Sequence, residues 1–314
     1  MKKFTILLVL SLVGYTATCQ TQPPKLDELN IPSSPAFVML DESPANIEKP
    51  TNPKAFAISL LNVGKNGGAI ETTPYWLINH ANYTFVNDVE NHFPILQTFA
   101  ISLASVKNAD TTIVSLGFRV QLFRQYFNEK AILISKNKIV DLLSVNPKDI
   151  DTTALQVEKN KLDADRGRTK YNLELAGAYS GQGTNYENLS GTKLGIWANF
   201  RYTPMVNSFL DIVALARYSK VIGGLENQIP DSSFLDFGGG LSRQGSNYDI
   251  QLEYIYRRDT TIDINYDRLA FIVNYQIIPG MVAVASFGKN FDDENNIFTA
   301  FGIKFGISNR KNNE

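Results

Sequence analysis

The segment Tyr248–Arg257 reads YDIQLEYIYR, and apolar and polar side chains alternate along almost all of it. A β-strand places successive side chains on opposite faces, so this segment would have one apolar face and one polar face. The segment Leu269–Ile277, which reads LAFIVNYQI, follows nearly the same rule in the next part of the chain. Both segments therefore predict long β-strands.

The alternating segments are longer than most strands. An ordinary strand has about five or six residues, whereas the alternation here persists for about nine to twelve, the length of a tilted strand that crosses a bilayer. We predict about twelve such strands, at residues 54–61, 68–78, 95–106, 111–122, 170–180, 191–203, 207–219, 232–243, 246–258, 264–277, 280–289 and 296–307. An even number allows a closed antiparallel barrel with both termini on one side.

The first nineteen residues have the features of an export signal. Lys2 and Lys3 precede the apolar run Ile6–Val13, and Ala17-Thr18-Cys19 supplies the small residues that precede a cleavage site. We predict that residues 1–19 form a signal peptide, with lipidation of Cys19 as an alternative. The protein is expected in the outer membrane of a Gram-negative bacterium.

The expected fold class is all-β, a transmembrane antiparallel β-barrel of residues 54–307. The periodicity does not identify the inner face, because a soluble sheet with an apolar interior would have the same two stripes. A soluble exported β protein is therefore the alternative fold. Strand length and the export signal favour the membrane barrel.

Residues 123–169 have a helical composition and lie between the fourth and fifth predicted strands. The pair Asn146-Pro147 predicts an N-cap followed by proline in the first helical turn. Counting strands places this helical insertion on the periplasmic side. It would be either a decoration that caps the barrel mouth, or a gate or docking site for a periplasmic partner.

Residues 20–53 are rich in proline, which removes backbone donors and disfavours helices and central strands. Seven of the thirteen prolines lie here: Pro23, Pro24, Pro32, Pro35, Pro44, Pro50 and Pro53. The apolar patch Ala36–Leu40 within this segment could dock on the main domain. The segment is thus predicted to be a tether or a plug, and residues 308–314 to be a polar tail.

Composition excludes several classes of function. The formal net charge is −1, which gives no basic surface for nucleic acid. Cys19 is the sole cysteine, so neither a disulfide framework nor a cysteine-based zinc site is expected. His80 and His92 are the two histidines, and no nucleophile motif accompanies them. We therefore expect no enzyme, no metal site and no cofactor.

Two phrases near the C-terminus carry a family resemblance. ASFGKNF at Ala285–Phe291 and FGIKF at Phe301–Phe305 resemble segments of bacterial outer-membrane β-barrel proteins, and a signal followed by Gln20 resembles those of Bacteroidota. The resemblance covers about residues 54 to 307 and implies contact with outer-membrane lipid and lipopolysaccharide. It implies no particular substrate. One departure is that residues 306–314 follow the last aromatic residue, where such chains usually end.

The polar faces of the predicted strands carry charges that would line the barrel lumen. These are Arg119, Glu174, Arg201, Asp211, Arg217, Asp236, Asp249, Glu253, Arg257, Arg268 and Lys304. They predict a porin-like channel that passes small polar solutes through a mixed-charge lumen. If the charges instead pair between neighbouring strands, the barrel would be a non-conducting structural or partner-binding protein. A barrel enzyme acting on lipid is the third, less favoured hypothesis.

Overall fold

The computed structural model describes residues 29, 34–40, 47–107, 110–145, 150–205, 210–222, 231–245, 247–278, 281–291 and 297–305. The strands are β1 Ile47–Glu48, β2 Gly68–Thr72, β3 Ala100–Lys107, β4 Thr112–Tyr126, β5 Thr169–Gly183, β6 Ser190–Tyr202, β7 Asp211–Val221, β8 Ser232–Gln244, β9 Tyr248–Asp259, β10 Ile264–Ile278, β11 Met281–Lys289 and β12 Ile297–Phe305. The helices are α1 Pro35–Val38, α2 Pro53–Asn66, α3 Pro74–Leu77, α4 Phe85–Glu90, α5 Ile95–Thr98, α6 Glu129–Leu143 and α7 Thr152–Gly167.

The twelve strands form one sheet in sequence order from β1 to β12. Strands β2 to β12 are antiparallel meander neighbours, and β1 pairs with β2 in parallel. The prediction of a mostly β protein with about twelve strands is confirmed. The described pairs form an open series, and none of them joins β12 to β1.

The first predicted strand, residues 54–61, is wrong because this segment lies in helix α2. Asn52 caps the helix by accepting a hydrogen bond from the backbone N–H of Ala55, and Pro53 occupies the first helical turn. Ser59 and Val63 are its buried residues, four positions apart as on one helix face. The segments 68–78 and 95–106 are likewise strands only in part, since they also contain α3 and α5.

Helix α2 allows the first two strands of the sheet to be parallel. It returns the chain so that β1 and β2 run the same way, and β2 to β12 then alternate. Strands β1 and β12 are therefore parallel to each other. The even number of strands predicts a closed barrel that is antiparallel throughout. This prediction is wrong, because a ladder between β1 and β12 would have to be parallel.

Two helices connect β4 to β5. Asn128 caps α6 by accepting from the N–H of Ala131, and Asp151 caps α7 by accepting from the N–H groups of Thr153 and Ala154. The predicted N-cap at residues 146–147 lies outside the described residues. Because β2 and β4 are parallel, helices α3 to α7 all lie at one end of the sheet, which we call the helical end. Within the described part of the chain, no helix is long and apolar enough to span a bilayer.

The two faces of the sheet differ sharply in exposure. On β9 and β10 the apolar side chains of Leu252, Tyr254 and Phe271 are exposed, whereas the charged side chains of Glu253 and Arg268 are completely buried. Successive strand residues alternate between faces, so the buried face is the one that carries the charges, together with apolar side chains such as Ile255 and Ile272. This is the reverse of a soluble sheet, in which the apolar face is covered.

Candidate functional site: the buried polar face and its strap

The buried polar face is covered in part by a short N-terminal strap, which we define as Leu29 and residues 34–40. The backbone N–H of Ala36 donates to Ser102 Oγ on β3 at 3.2 Å. At the other end of the strap, Asn199 Nδ2 on β6 donates to the carbonyl oxygen of Leu29 at 2.6 Å. These bonds join the strap to strands that are far from it in sequence.

Glycines on the polar face make room for the strap. A β-carbon added at Gly238 would lie 2.8 Å from the side chain of Leu29, and one added at Gly195 would lie 2.6 Å from that of Met39. A β-carbon at Gly117 would lie 2.6 Å from the backbone nitrogen of Ala36. All three distances are shorter than real contacts, so larger residues would displace the strap or distort the strand.

Apolar side chains complete the binding site of the strap on the sheet. Leu29 and Met39 belong to a buried cluster with inward residues of four strands: Ala176, Ala178, Trp197, Val213, Leu215 and Ile255. Ala36, Phe37 and Leu40 form a second cluster with Ala69 and Ala104 of β2 and β3. One short segment thus contacts strands from β2 to β9, which requires a concave sheet face.

Three predicted lumen charges form one buried group. Asp236 on β8 accepts from Arg217 Nε on β7 at 2.6 Å and from Arg257 Nε on β9 at 2.8 Å. Arg257 also lies over the ring of Phe291, 3.7 Å from its centroid. The carboxylate is fully buried, so it depends on these two guanidinium groups for the stabilisation that water would otherwise supply.

A second buried group lies on β9 and β10. Arg268 Nε donates to Glu253 Oε1 at 2.8 Å, and Gln251 Nε2 donates to the other carboxylate oxygen at 3.2 Å. The guanidinium of Arg268 also donates to Asn290 and lies over the ring of Phe298. Charge, amide and aromatic contacts therefore fill this part of the interior.

The other predicted charges with described side chains lie on the same face, where they form pairs that are weaker or more exposed to solvent. Arg201 donates to Asp211 at 3.5 Å. Glu174 accepts from Asn172 at 2.9 Å, and Asp249 accepts from Asn274 at 3.3 Å. Arg119 lies 3.8 Å from the carboxylate of Glu71. The register puts Lys304 opposite Val282, and the side chain of Lys304 lies outside the described part of the protein.

Some residues of the site were not predicted from the sequence. Glu71, which lies near both Lys49 and Arg119, falls within the predicted strand 68–78 but is not among the predicted lumen charges. Asn199 is not predicted either, because its bond to Leu29 spans 170 residues. The triplet Gly238–Gly240 is the feature of the sequence that could have indicated a close approach to this strand, since glycines within a strand mark a bend or close packing.

The two histidines lie at the helical end. His80 stacks on Tyr75 with ring centroids 3.7 Å apart, and His92 Nε2 lies 2.8 Å from Glu129 Oε1. Burial raises the pKa of Tyr83, whose hydroxyl donates to Asp88 at 3.5 Å. Among the described residues, no group of three or more His, Cys, Asp or Glu side chains could hold a metal ion.

No protein-family model matches the chain, and no curated protein matches it. The function is therefore inferred from the residues and their geometry.

Proposed function

We propose that this chain is an outer-membrane protein whose strands form the wall of a transmembrane barrel, with an interior closed by the strap and by ion pairs. In this conformation it is a non-conducting structural or partner-binding barrel. The observation that carries the proposal is the inverted sheet, with a buried charged face and an exposed apolar face.

The exposed face is unsuited to water. Apolar residues with at least a third of their surface exposed occur on β4 to β12, including Leu116, Ile196, Ile212, Leu241, Leu252, Phe271, Phe287 and Phe301. Soluble monomers rarely expose contiguous apolar patches larger than a few hundred square ångströms. A lipid environment removes this penalty, and strands β4 to β12, of 9 to 15 residues, are long enough to cross it.

The interior favours a closed barrel over an open pore. Arg217, Asp236, Glu253 and Arg268 are buried and contact one another in pairs between neighbouring strands. Charges that filter solutes must face water, whereas these face protein. Leu29 and Met39 occupy further space beside them.

A gated channel for small polar solutes is the second candidate. Arg201 and Arg119 keep about a third of their side-chain surface exposed, so part of the charged face is open to solvent. The strap itself is held largely by apolar contacts, which a partner with an apolar surface could replace. Displacing the strap would then open the path that it covers.

Planar-bilayer recording of detergent-purified protein separates these candidates. Wild-type protein should show no stepwise conductance. Leu29→Asp would place a carboxylate in a completely buried apolar site and release the strap, while Val157→Asp on exposed α7 serves as the control.

Absence of conductance in both variants supports the structural barrel. Conductance by Leu29→Asp alone supports the gated channel. Stepwise conductance by the wild type would contradict closure. Recovery of the wild type as a soluble protein without detergent would contradict the membrane proposal itself.

A further inference from the structure

The connection between β2 and β3, residues 73–99, has an unusual surface. It contains the short helices α3, α4 and α5, and we call it the shelf. Trp76, Ile78, Phe93 and Leu96 are each about half or more exposed, at 49%, 67%, 65% and 65%. Four large apolar side chains within a segment of this size would be costly to leave in water.

The shelf has a defined internal structure. The ring of Tyr75 lies edge-on to Trp76 at 4.9 Å, and Trp76 Nε1 donates to the carbonyl oxygen of Gln97 at 2.8 Å. Asp88 forms ion pairs with Arg124 of β4 and Arg166 of α7, at 2.9 and 3.0 Å. These contacts fix the shelf to the sheet and to the helix pair, so its apolar side chains are held facing outward.

The shelf is continuous with the exposed face of the sheet. Phe93 lies 5.3 Å from Phe123, measured between ring centroids. Phe123 pairs with Leu173 on β5, and two positions away Tyr171 stacks on Tyr202 at 5.1 Å. The aromatic rings therefore form one row around the helical end, at the border of the exposed apolar face.

We propose that the shelf is a membrane-docking surface that lies in the boundary between headgroups and acyl chains of the phospholipid leaflet at the helical end. This inference rests on the proposed function. Trp and Tyr prefer this boundary because an apolar ring and a polar group meet different environments there. Lys170, whose ammonium group lies 5.4 Å from the centre of the Tyr171 ring, supplies a cation beside the row for lipid phosphates.

The two tryptophans of the chain allow a matched test. Trp76 is on the shelf, and Trp197 is buried in the interior beside Met39. Trp197→Phe leaves Trp76 as the sole tryptophan, and Trp76→Phe leaves Trp197. Each variant is inserted into phosphatidylcholine vesicles whose lipids carry bromine either near the headgroup or deep in the acyl chain.

Trp76 emission should be quenched, and more strongly by the shallow bromines, while Trp197 emission should be unaffected. A third variant adds Phe271→Trp, on the exposed face of β10, to the double replacement of Trp76 and Trp197. Its emission should be quenched more strongly by the deep bromines. If Trp197→Phe does not fold, the difference between wild type and Trp76→Phe gives the quenching of Trp76.

If the emission of Phe271→Trp is quenched and that of Trp76 is not, the shelf proposal is overturned. A protein partner would then be the favoured occupant of this surface. Absence of quenching at Phe271→Trp would instead overturn the proposed membrane function. The two failures are thus distinguishable.

Discussion

Arg268 and Glu253 form a diagonal ion pair inside the protein, because the register sets Arg268 opposite Ile255 and Glu253 opposite Ala270. Their side chains are 1% and 0% exposed, and their nitrogen and oxygen atoms lie 2.8 Å apart. Such a pair has lost its hydration on both sides. Each charge therefore depends on the other and on the amides of Gln251 and Asn290.

Breaking this pair should destabilise the protein strongly. Glu253→Ala leaves the Arg268 charge buried without its carboxylate, which typically costs about 3–5 kcal/mol of unfolding free energy. Adding Arg268→Ala should cost less than the sum of the two single changes. Denaturant titration in detergent measures all three variants. Asp263→Asn, which removes the charge paired with exposed Arg258 and tolerates the φ of 56° at this position, should have little effect. Equal losses at both sites would contradict the buried interior.

The exposed face provides a direct test of the lipid environment. Leu252 is 45% exposed, so Leu252→Arg in water should change the unfolding free energy by no more than about 0.5 kcal/mol. Near the middle of a bilayer the same change should cost about 2–4 kcal/mol. Unfolding measured in phospholipid vesicles decides between these values. Val157→Arg on exposed α7 should be neutral in both environments.

Variants of two adjacent glycines on β8 test how closely the strap must approach the sheet. A β-carbon at Gly238 would meet the side chains of Leu29 and Ile255, whereas one at Gly239 would meet only a backbone oxygen at 3.9 Å. Gly238→Ala should therefore loosen the strap at a cost of about 1–3 kcal/mol. Hydrogen exchange of residues 34–40 should accelerate in Gly238→Ala and stay unchanged in Gly239→Ala. Equal exchange in both variants would show that the strap does not depend on this close approach.

Connection lengths predict the orientation in the membrane. In the C-terminal half, connections at the helical end include residues 245–247 and 279–280, whereas the opposite end has residues 222–231 and 290–296. The two longest connections, residues 73–99 and 127–168, depart from this pattern because they lie at the helical end. Bacterial outer-membrane barrels, the class proposed for this chain, have short turns in the periplasm and longer loops outside. An impermeant maleimide on intact cells should label Asp293→Cys, and should not label Val157→Cys on α7. The reverse pattern would place the helical end outside.

The α6–α7 pair should weaken in acid. Lys138 donates to Glu158 at 3.2 Å and holds the pKa of that carboxyl below its ordinary value of 4.5. Because folding lowers this pKa, the contact stabilises the pair fully above the ordinary value and is lost as the pH falls through the lowered one. Hydrogen-exchange protection in α6 and α7 should fall over that range.

Glu158→Gln should show the reduced protection already at neutral pH. Asp163→Asn, which changes an exposed carboxylate of the same helix, should behave as wild type does. If hydrogen-exchange protection in α6 and α7 changes neither with pH nor in Glu158→Gln, the contact with Lys138 does not stabilise the pair. Apolar packing alone would then account for its stability.

The strands of the C-terminal half were predictable because their signal is local. The predicted segments 232–243 and 264–277 match β8 and β10 to within one residue at each end. The segment 54–61 was mistaken because several of its apolar residues also fit a helical period, and the cap at Asn52 with Pro53 decides for the helix. The sequence predicts a plug or a tether for residues 20–53, but it could not predict where the strap binds, since Leu29 and Asn199 meet only in the folded chain.

The sequence by itself determined that long strands would have one apolar and one charged face, since alternation along a strand depends only on neighbouring residues. It did not determine which face lies inside, because the same two stripes suit a soluble sheet or a membrane wall. Tertiary structure decided this through contacts between distant residues. Glycines admit the strap to the charged face, and arginines meet carboxylates on neighbouring strands. Burial of the charged face became possible only because each of these charges met its partner there.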